Sequence, residues 1–257
     1  PEDTFHAARR IYSIQHGYLR VGDQLNKILA VVDLMLLDPS AGLDRDTVLR
    51  LALTTAFQYI EGLPDQVASE ATLRRIDWKY ALFLPVNHPG ISPAALCAFR
   101  QRLYRSQRGM QEFGLVFDKL VKVGLTAGLP ADSAGTEQPW CAEQILSLVC
   151  DISRLHRLKL AMKMALGVLS STRPDWLRTV VRPYWYERYK TGQLYQSIDP
   201  GLGGPMAEAM AIGADIQDLL SALQRPDVAD LANLPEIRSL AKTWEEQDQP
   251  GPGDFSW

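Results

Sequence analysis

Four histidines and three cysteines are the side chains of this sequence best suited to metal binding or nucleophilic catalysis, yet their spacing fits neither. The histidines are scattered, and no HExxH motif, CxxC pair, phosphate-binding loop, dinucleotide-binding motif or nucleophile elbow occurs. We therefore expect no cofactor, no metal site, no catalytic residue and no disulfide framework, and a function in binding. The side chains concerned are His6, His16, His88, His156, Cys97, Cys141 and Cys150.

Cys141 is the cysteine with polar neighbours closest in sequence, since Glu143 and Gln144 follow it. A cysteine acts as a nucleophile when a positioned base or a positive charge favours its thiolate. Because the sequence offers no such partner, we expect Cys141 to be a buried, inert thiol.

A row of arginines between Cys97 and Arg108 has the clearest binding chemistry in the chain, with four arginines and no acidic residue. On a helix turning about 100° per residue, its polar side chains would point away from Leu96, Phe99 and Leu103. Arginine and glutamine can bond to base edges and to phosphates of DNA, whereas the alternative interpretation is an ordinary solvated helix face. The outward residues are Gln101, Arg102, Arg105 and Arg108, with Arg100 bordering the apolar edge.

The segments around this row have helical spacing and helix-capping residues. One helix is predicted to begin near Asp46, a candidate N-cap, and to end at Gly62. Short helices over about 65–73 and 75–80 precede a turn at 86–91, and Ser92-Pro93 predicts a helix to about Gln107. A short helix, a turn and a capped helix with an outward polar row are typical of a helix-turn-helix DNA reader. A further helix is predicted over 113–123.

The second half of the chain is predicted to be built on one long amphipathic helix. Residues 126–139 are rich in Gly, Pro and small polar residues, which indicates a linker. Apolar residues then keep three-and-four spacing from Ile145 to Leu169, until Arg173-Pro174 ends the pattern. Four aromatic residues at 184–189 could stack on bases but more often form core, and helices follow at 206–223 and 234–246. We expect an all-α protein with a helix-turn-helix-like domain at 1–129 and a second helical part at 130–257.

Charge is unevenly distributed along a chain whose net charge is −3. Residues 139–190 contain nine basic against four acidic residues, whereas residues 191–257 contain three against eleven. The basic middle indicates either a nucleic-acid surface or ordinary solvated surface. No apolar run approaches the roughly 18 residues that cross a bilayer, so we expect no membrane partner and a cytoplasmic location.

Several segments resemble the N-terminal domain of bacterial insertion-sequence DDE transposases, in order and in spacing. The first three are Ala56–Asp65, Arg75–Leu82 and Phe99–Leu103, of which the second is the most specific. The similarity extends over nearly the whole chain from about Gly17. Its later segments are Asp151–Leu155, Pro174–Arg178, Trp185–Tyr189, Ile212–Asp215, Leu234–Ile237 and Trp244–Gln247.

The sequence departs from this family at the catalytic residues. The family carries its first catalytic aspartate just before the segment that matches Asp151–Leu155, and that position is Cys141 here. A neutral thiol does not replace a hard carboxylate as a ligand of Mg²⁺. The other two catalytic acids belong to a later part of an RNase-H-like domain, which this sequence lacks. Residues 140–149, a strand in the family, are expected to be helical because an unpaired strand leaves its backbone groups unsatisfied.

The resemblance therefore implies a catalytically inactive, transposase-derived protein that binds double-stranded DNA as a sequence-specific regulator. By analogy with enzymes that assemble on paired DNA ends, it also implies a homodimer. The alternative is a protein-interaction module that docks a partner through the acidic, aromatic-containing C-terminal part. A third interpretation is a decayed product without a selected function. The expected DNA contacts are Gln101, Arg102, Arg105 and Arg108, flanked by phosphate contacts from Arg74, Arg75 and Lys79.

Overall fold

The computed structural model of the protein describes residues 16–24, 42–125, 141–190 and 204–246, with residues 204–206 described by their backbone alone. These residues are 81% helical and contain no strand, which confirms the prediction of an all-α protein. Their α-helices are α1 (residues 16–24), α2 (Arg45–Glu61), α3 (Asp65–Arg74), α4 (Ile76–Ala81), α5 (Pro93–Tyr104), α6 (Gln107–Lys122), α7 (Ala142–Thr172), α8 (Pro174–Val180), α9 (Pro183–Tyr189), α10 (Gly204–Ala222) and α11 (Pro235–Glu245). Two short 3-10 helices, Pro226–Val228 and Leu231–Asn233, lie between the last two.

The ends of α2 are set by an aspartate and a glycine. Asp44, not the predicted Asp46, is the N-cap, because its carboxylate accepts from the Thr47 backbone N–H at 2.9 Å. Asp46 lies in the first turn, where a negative charge interacts favourably with the positive end of the helix dipole. Gly62 ends the helix at φ 66°, a left-handed conformation that glycine adopts without steric cost.

The predicted helix from Ser92 to about Gln107 is shorter than expected. Ser92 caps α5 and Pro93 is its first residue, as predicted, but the helix ends at Tyr104. The hydroxyl of Ser106 accepts from the Gly109 backbone N–H at 3.0 Å and starts α6 at Gln107, six residues before the predicted Phe113. A serine that bonds to the backbone in this way favours a helix start over a helix interior. Arg108 therefore lies on a different helix from Gln101 and Arg102.

The chain forms two compact units, Pro1–Cys150 and Asp151–Trp257. The predicted division after Leu129, and the predicted linker around it, lie outside the described residues. Helix α7, which begins at Ala142, confirms that the residues after Cys141 are helical and that the amphipathic pattern is one long helix ending before Arg173. Among the described residues, no helix combines the length and the apolar character that crossing a bilayer requires.

Unit 1 has its core around α2, which is buried along most of its length. Phe57 lies edge-on to Tyr18 and Trp78, with ring centroids 4.6 and 5.3 Å away, and all three side chains are fully buried. Eleven residues separate the end of α4 at Ala81 from the start of α5 at Pro93. A helix-turn-helix has a turn of about three or four residues, so that part of the fold prediction is not confirmed.

Unit 2 has its core between α7 and α10, completed by α9 and α11. The fully buried side chains include Met162 of α7, Ile216 of α10 and Leu240 of α11. A buried carboxylate, Asp215, accepts from the Tyr189 hydroxyl at 2.8 Å and pairs with Arg188. Burial and the charge of Asp215 raise the pKa of Tyr189, which keeps this hydroxyl a hydrogen-bond donor.

Candidate functional site

The arginine row of unit 1 is divided between the surface and the interior. Gln101 is exposed on α5, Arg105 is exposed at the C-cap that follows α5, Arg108 is exposed on α6, and Arg102 is partly exposed. The Gln101 amide lies 3.7 Å from the sulfur of Cys97, a weak acceptor one helical turn earlier. Gln101, Arg105 and Arg108 are therefore exposed on unit 1, although they lie on two helices and the turn between them.

Arg100, predicted to border the apolar edge, is fully part of the interior, with 2% of its side chain exposed. Its guanidinium donates to an Asp65 carboxylate oxygen at 2.7 Å and to the Gln58 side-chain oxygen at 3.2 Å. Burial alone would lower the pKa of Arg100, but the charge and the hydrogen bond of Asp65 raise it above its usual value. Arg100 thus ties α5 to the start of α3 and the end of α2.

Arg75, predicted as a phosphate contact, is engaged by two carboxylates of its own chain. It pairs with Glu61 at 2.7 Å and with Asp77 at 2.6 Å, and its guanidinium stacks 5.1 Å from the Trp78 ring centroid. Burial opposes the charged form, but the hydrogen bond to Asp77 and the charge of Glu61 raise the pKa of Arg75. We therefore remove Arg75 from the candidate DNA contacts.

Lys79, the second predicted phosphate contact, is buried, with only 4% of the residue exposed. Its ammonium group donates to the backbone oxygens of Val86 and His88. An ammonium that satisfies carbonyls inside the fold does not reach a phosphate outside it, so this prediction is also corrected. Arg74, the third flanking residue, is exposed at the end of α3.

A groove of about 400 Å³ brings together charged residues that are far apart in sequence. Its lining includes Arg50 of α2, Arg102 of α5 and His88 of the segment between α4 and α5, and no carboxylate is among the described lining residues. Arg102 was predicted as a binding residue, whereas Arg50 and His88 were not. No local pattern would have identified them, because only the packing of α2 against the 82–92 segment places them beside Arg102.

The His88 ring has a defined proton position. Its Nδ1 accepts from the Gly90 backbone N–H at 3.0 Å, so a neutral ring carries its proton on Nε2. Burial, and then the positive charges of Arg50 and Lys79, lower the pKa of His88. At neutral pH the ring is therefore uncharged and Nε2 is a hydrogen-bond donor.

The side chains of α9 divide into two sets. Trp185 and Tyr189 are buried in the core of unit 2, as expected for most aromatic clusters. Tyr184 and Tyr186 are exposed, at 50% and 75%.

Within the described ranges, no group of three His, Cys, Asp or Glu side chains has the arrangement of a metal site.

Cys141 is exposed, contrary to the prediction of a buried thiol, because it lies immediately before the first residue of α7 and not inside the helix. Cys150 is half-buried, and burial raises the pKa of its thiol, with Arg100 opposing part of the shift.

Since the thiolate is the reactive form, we expect iodoacetamide to modify Cys141 at least about tenfold faster than Cys150. Peptide mass spectrometry over a time course measures both rates, and equal rates would contradict the difference in exposure.

Comparison with known proteins gives this chain no relative: no protein-family model, no curated protein and no solved structure matches it.

Proposed function

We propose that this chain is a catalytically inactive, transposase-derived protein that binds duplex DNA through unit 1 and acts as a sequence-specific regulator. The observation that carries the proposal is the exposure of Gln101, Arg105 and Arg108, which lie on two successive helices and the turn between them, in a segment without any carboxylate. Arg74 is a fourth exposed side chain of the same unit that would add a phosphate contact. The resemblance described above, with Cys141 at the position of the first catalytic aspartate, supports binding without catalysis.

The chemistry of these side chains suits both parts of DNA recognition. Arginine bonds in a bidentate manner to guanine and to phosphates, and glutamine does so to adenine. The net charge of −3 leaves little long-range attraction to DNA, so binding has to rely on a local basic surface. Affinity is then expected to fall steeply with salt, because each neutralised phosphate releases counterions.

The test is selection of bound sequences from a random duplex library, followed by salt titration of the best binder. For the variant with Arg105→Ala and Arg108→Ala, we expect affinity to fall about tenfold or more and the salt slope to decrease by about two. The matched control is the double variant Arg178→Ala, Arg238→Ala, which removes two exposed arginines of unit 2. Equal losses in the two double variants, or no duplex binding at low salt, would reject the proposal.

A second candidate function is a protein-interaction module on unit 2, without DNA binding. Unit 2 exposes several large apolar side chains, with Tyr186, Met210 and Met164 at 75%, 71% and 54%. Exposed apolar surface is typical of protein interfaces, and the excess of acidic residues at 191–257 disfavours DNA. Salt separates the two functions, since an apolar interface keeps its affinity at salt concentrations that release DNA.

A further inference from the structure

The groove of unit 1 combines an apolar floor with positive charge, which is the lining of a small-molecule site. Leu51, Ile91, Ala95 and Ala98 supply apolar surface, and two arginines and a histidine supply the charged and polar groups. A volume of about 400 Å³ lies within the range of ligand pockets, which hold a few placed polar groups among apolar side chains.

Arg50 is held in place by the backbone that it faces. Its Nε donates to the Leu82 carbonyl at 3.2 Å and its Nη2 to the Phe83 carbonyl at 3.1 Å. Neither bond uses Nη1. Since the guanidinium is anchored before any ligand arrives, little side-chain entropy is lost when an anion binds to it.

The segment that presents His88 is anchored from the opposite side. Lys79 donates to the carbonyls of Val86 and His88, and Gly90, at φ 89°, turns its N–H toward the His88 ring. His88 lines the groove together with Arg50 and Arg102, and its neutral ring has Nε2 as its hydrogen-bond donor. Two guanidinium groups and one neutral N–H donor, with no carboxylate among the described residues of the lining, match the acceptor oxygens of a carboxylate or a phosphate ester.

We propose that this groove binds a small organic anion, with its carboxylate or phosphate group on Arg50, Arg102 and His88 and a compact apolar body over Leu51, Ile91 and Ala98. The ligand is a small molecule and not DNA. In the DNA backbone, polar sugars lie next to the phosphates, and these sugars gain little from contact with the apolar floor. This binding does not depend on whether unit 1 also binds DNA.

The experiment is calorimetric titration of the full chain at low salt with phenyl phosphate, benzoate and the neutral analogue benzyl alcohol. We expect both anions to bind with one-to-one stoichiometry and Kd values of about 1 mM or below. Benzyl alcohol is expected to bind at least tenfold more weakly, because it loses a hydrogen bond to a charged group. Arg102→Ala is expected to weaken phenyl phosphate binding about tenfold, and Ala98→Trp to block it by filling the groove.

Arg45→Ala is the matched control, because it removes one exposed arginine of α2 that does not line the groove. It is expected to bind phenyl phosphate like the original chain, while circular dichroism confirms that all variants are folded. The proposal is overturned if neither anion binds up to about 10 mM. It is also overturned if Arg45→Ala and Arg102→Ala lose affinity equally, or if both groove variants bind normally.

Discussion

Replacing Arg100 with methionine is expected to lower the free energy of unfolding of unit 1 by about 3 kcal/mol, the cost of breaking a buried ion pair. The substitution removes the guanidinium that pairs with the Asp65 carboxylate at 2.7 Å, and only 16% of that side chain is exposed to water. Gln58 still donates to Asp65 at 2.8 Å, which keeps the loss at the lower end of the range for such pairs. Urea unfolding followed by circular dichroism measures the change.

A double variant separates the unpaired charge from the loss of packing. Adding Asp65→Asn to Arg100→Met removes the carboxylate charge that Arg100 no longer neutralises. We therefore expect the double variant to recover about half of the lost stability. Among the described residues, Nε of Arg100 has no hydrogen-bond partner, and its removal relieves a further desolvation cost. Arg105→Met, at the exposed C-cap of α5, is the control and is expected to change stability by less than about 0.5 kcal/mol. A similar loss in Arg105→Met would show that Arg100 has no special role.

The helical class and many helix ends could be predicted because their causes are local. Ser92 and Pro93 start α5 through a side-chain cap and a preset backbone angle, and Gly62 ends α2 through its left-handed conformation. The long helix α7 follows from apolar residues at three-and-four spacing and from a proline that stops it. Each of these causes lies within a few residues of its effect.

The candidate site was predicted less completely, because burial and pairing depend on distant residues. The helical pattern places Arg100 only at the border of the apolar edge, yet Arg100 is buried and pairs with a carboxylate from a residue 35 positions earlier. Lys79 is buried because it donates hydrogen bonds to backbone carbonyls of the turn that follows it. The pattern of side chains in the sequence does not show that these carbonyls need a donor. The groove around His88 likewise exists only once α2 and α5 have packed.

The network centred on Glu61 shows how Arg75, a residue predicted to contact phosphate, instead serves the fold. Glu61 accepts from the Tyr18 hydroxyl at 2.5 Å and from the Trp78 indole N–H at 3.0 Å, and it pairs with Arg75. Burial, and then the charge of Glu61, raise the pKa of Tyr18 well above its usual value, so the hydroxyl stays protonated and donates. One carboxylate therefore satisfies donors from α1 and α4, together with the arginine between α3 and α4.

Glu61→Ala is accordingly expected to lower the free energy of unfolding by about 3–4 kcal/mol, because two buried donors lose their acceptor at about 1–3 kcal/mol each. Glu61→Gln keeps a carbonyl oxygen in the same place and is expected to cost less than half as much. Hydrogen exchange followed by mass spectrometry localises the loss, with faster exchange expected in α1, α2 and α4, while Glu143→Ala at an exposed position is the control. If Arg75 served DNA binding and not this network, Arg75→Ala would weaken DNA binding while leaving exchange unchanged. We expect Arg75→Ala instead to speed exchange, because Glu61 and Asp77 lose the cation that lies between them. We expect DNA binding to stay unchanged, because the exposed Arg105 and Arg108 remain.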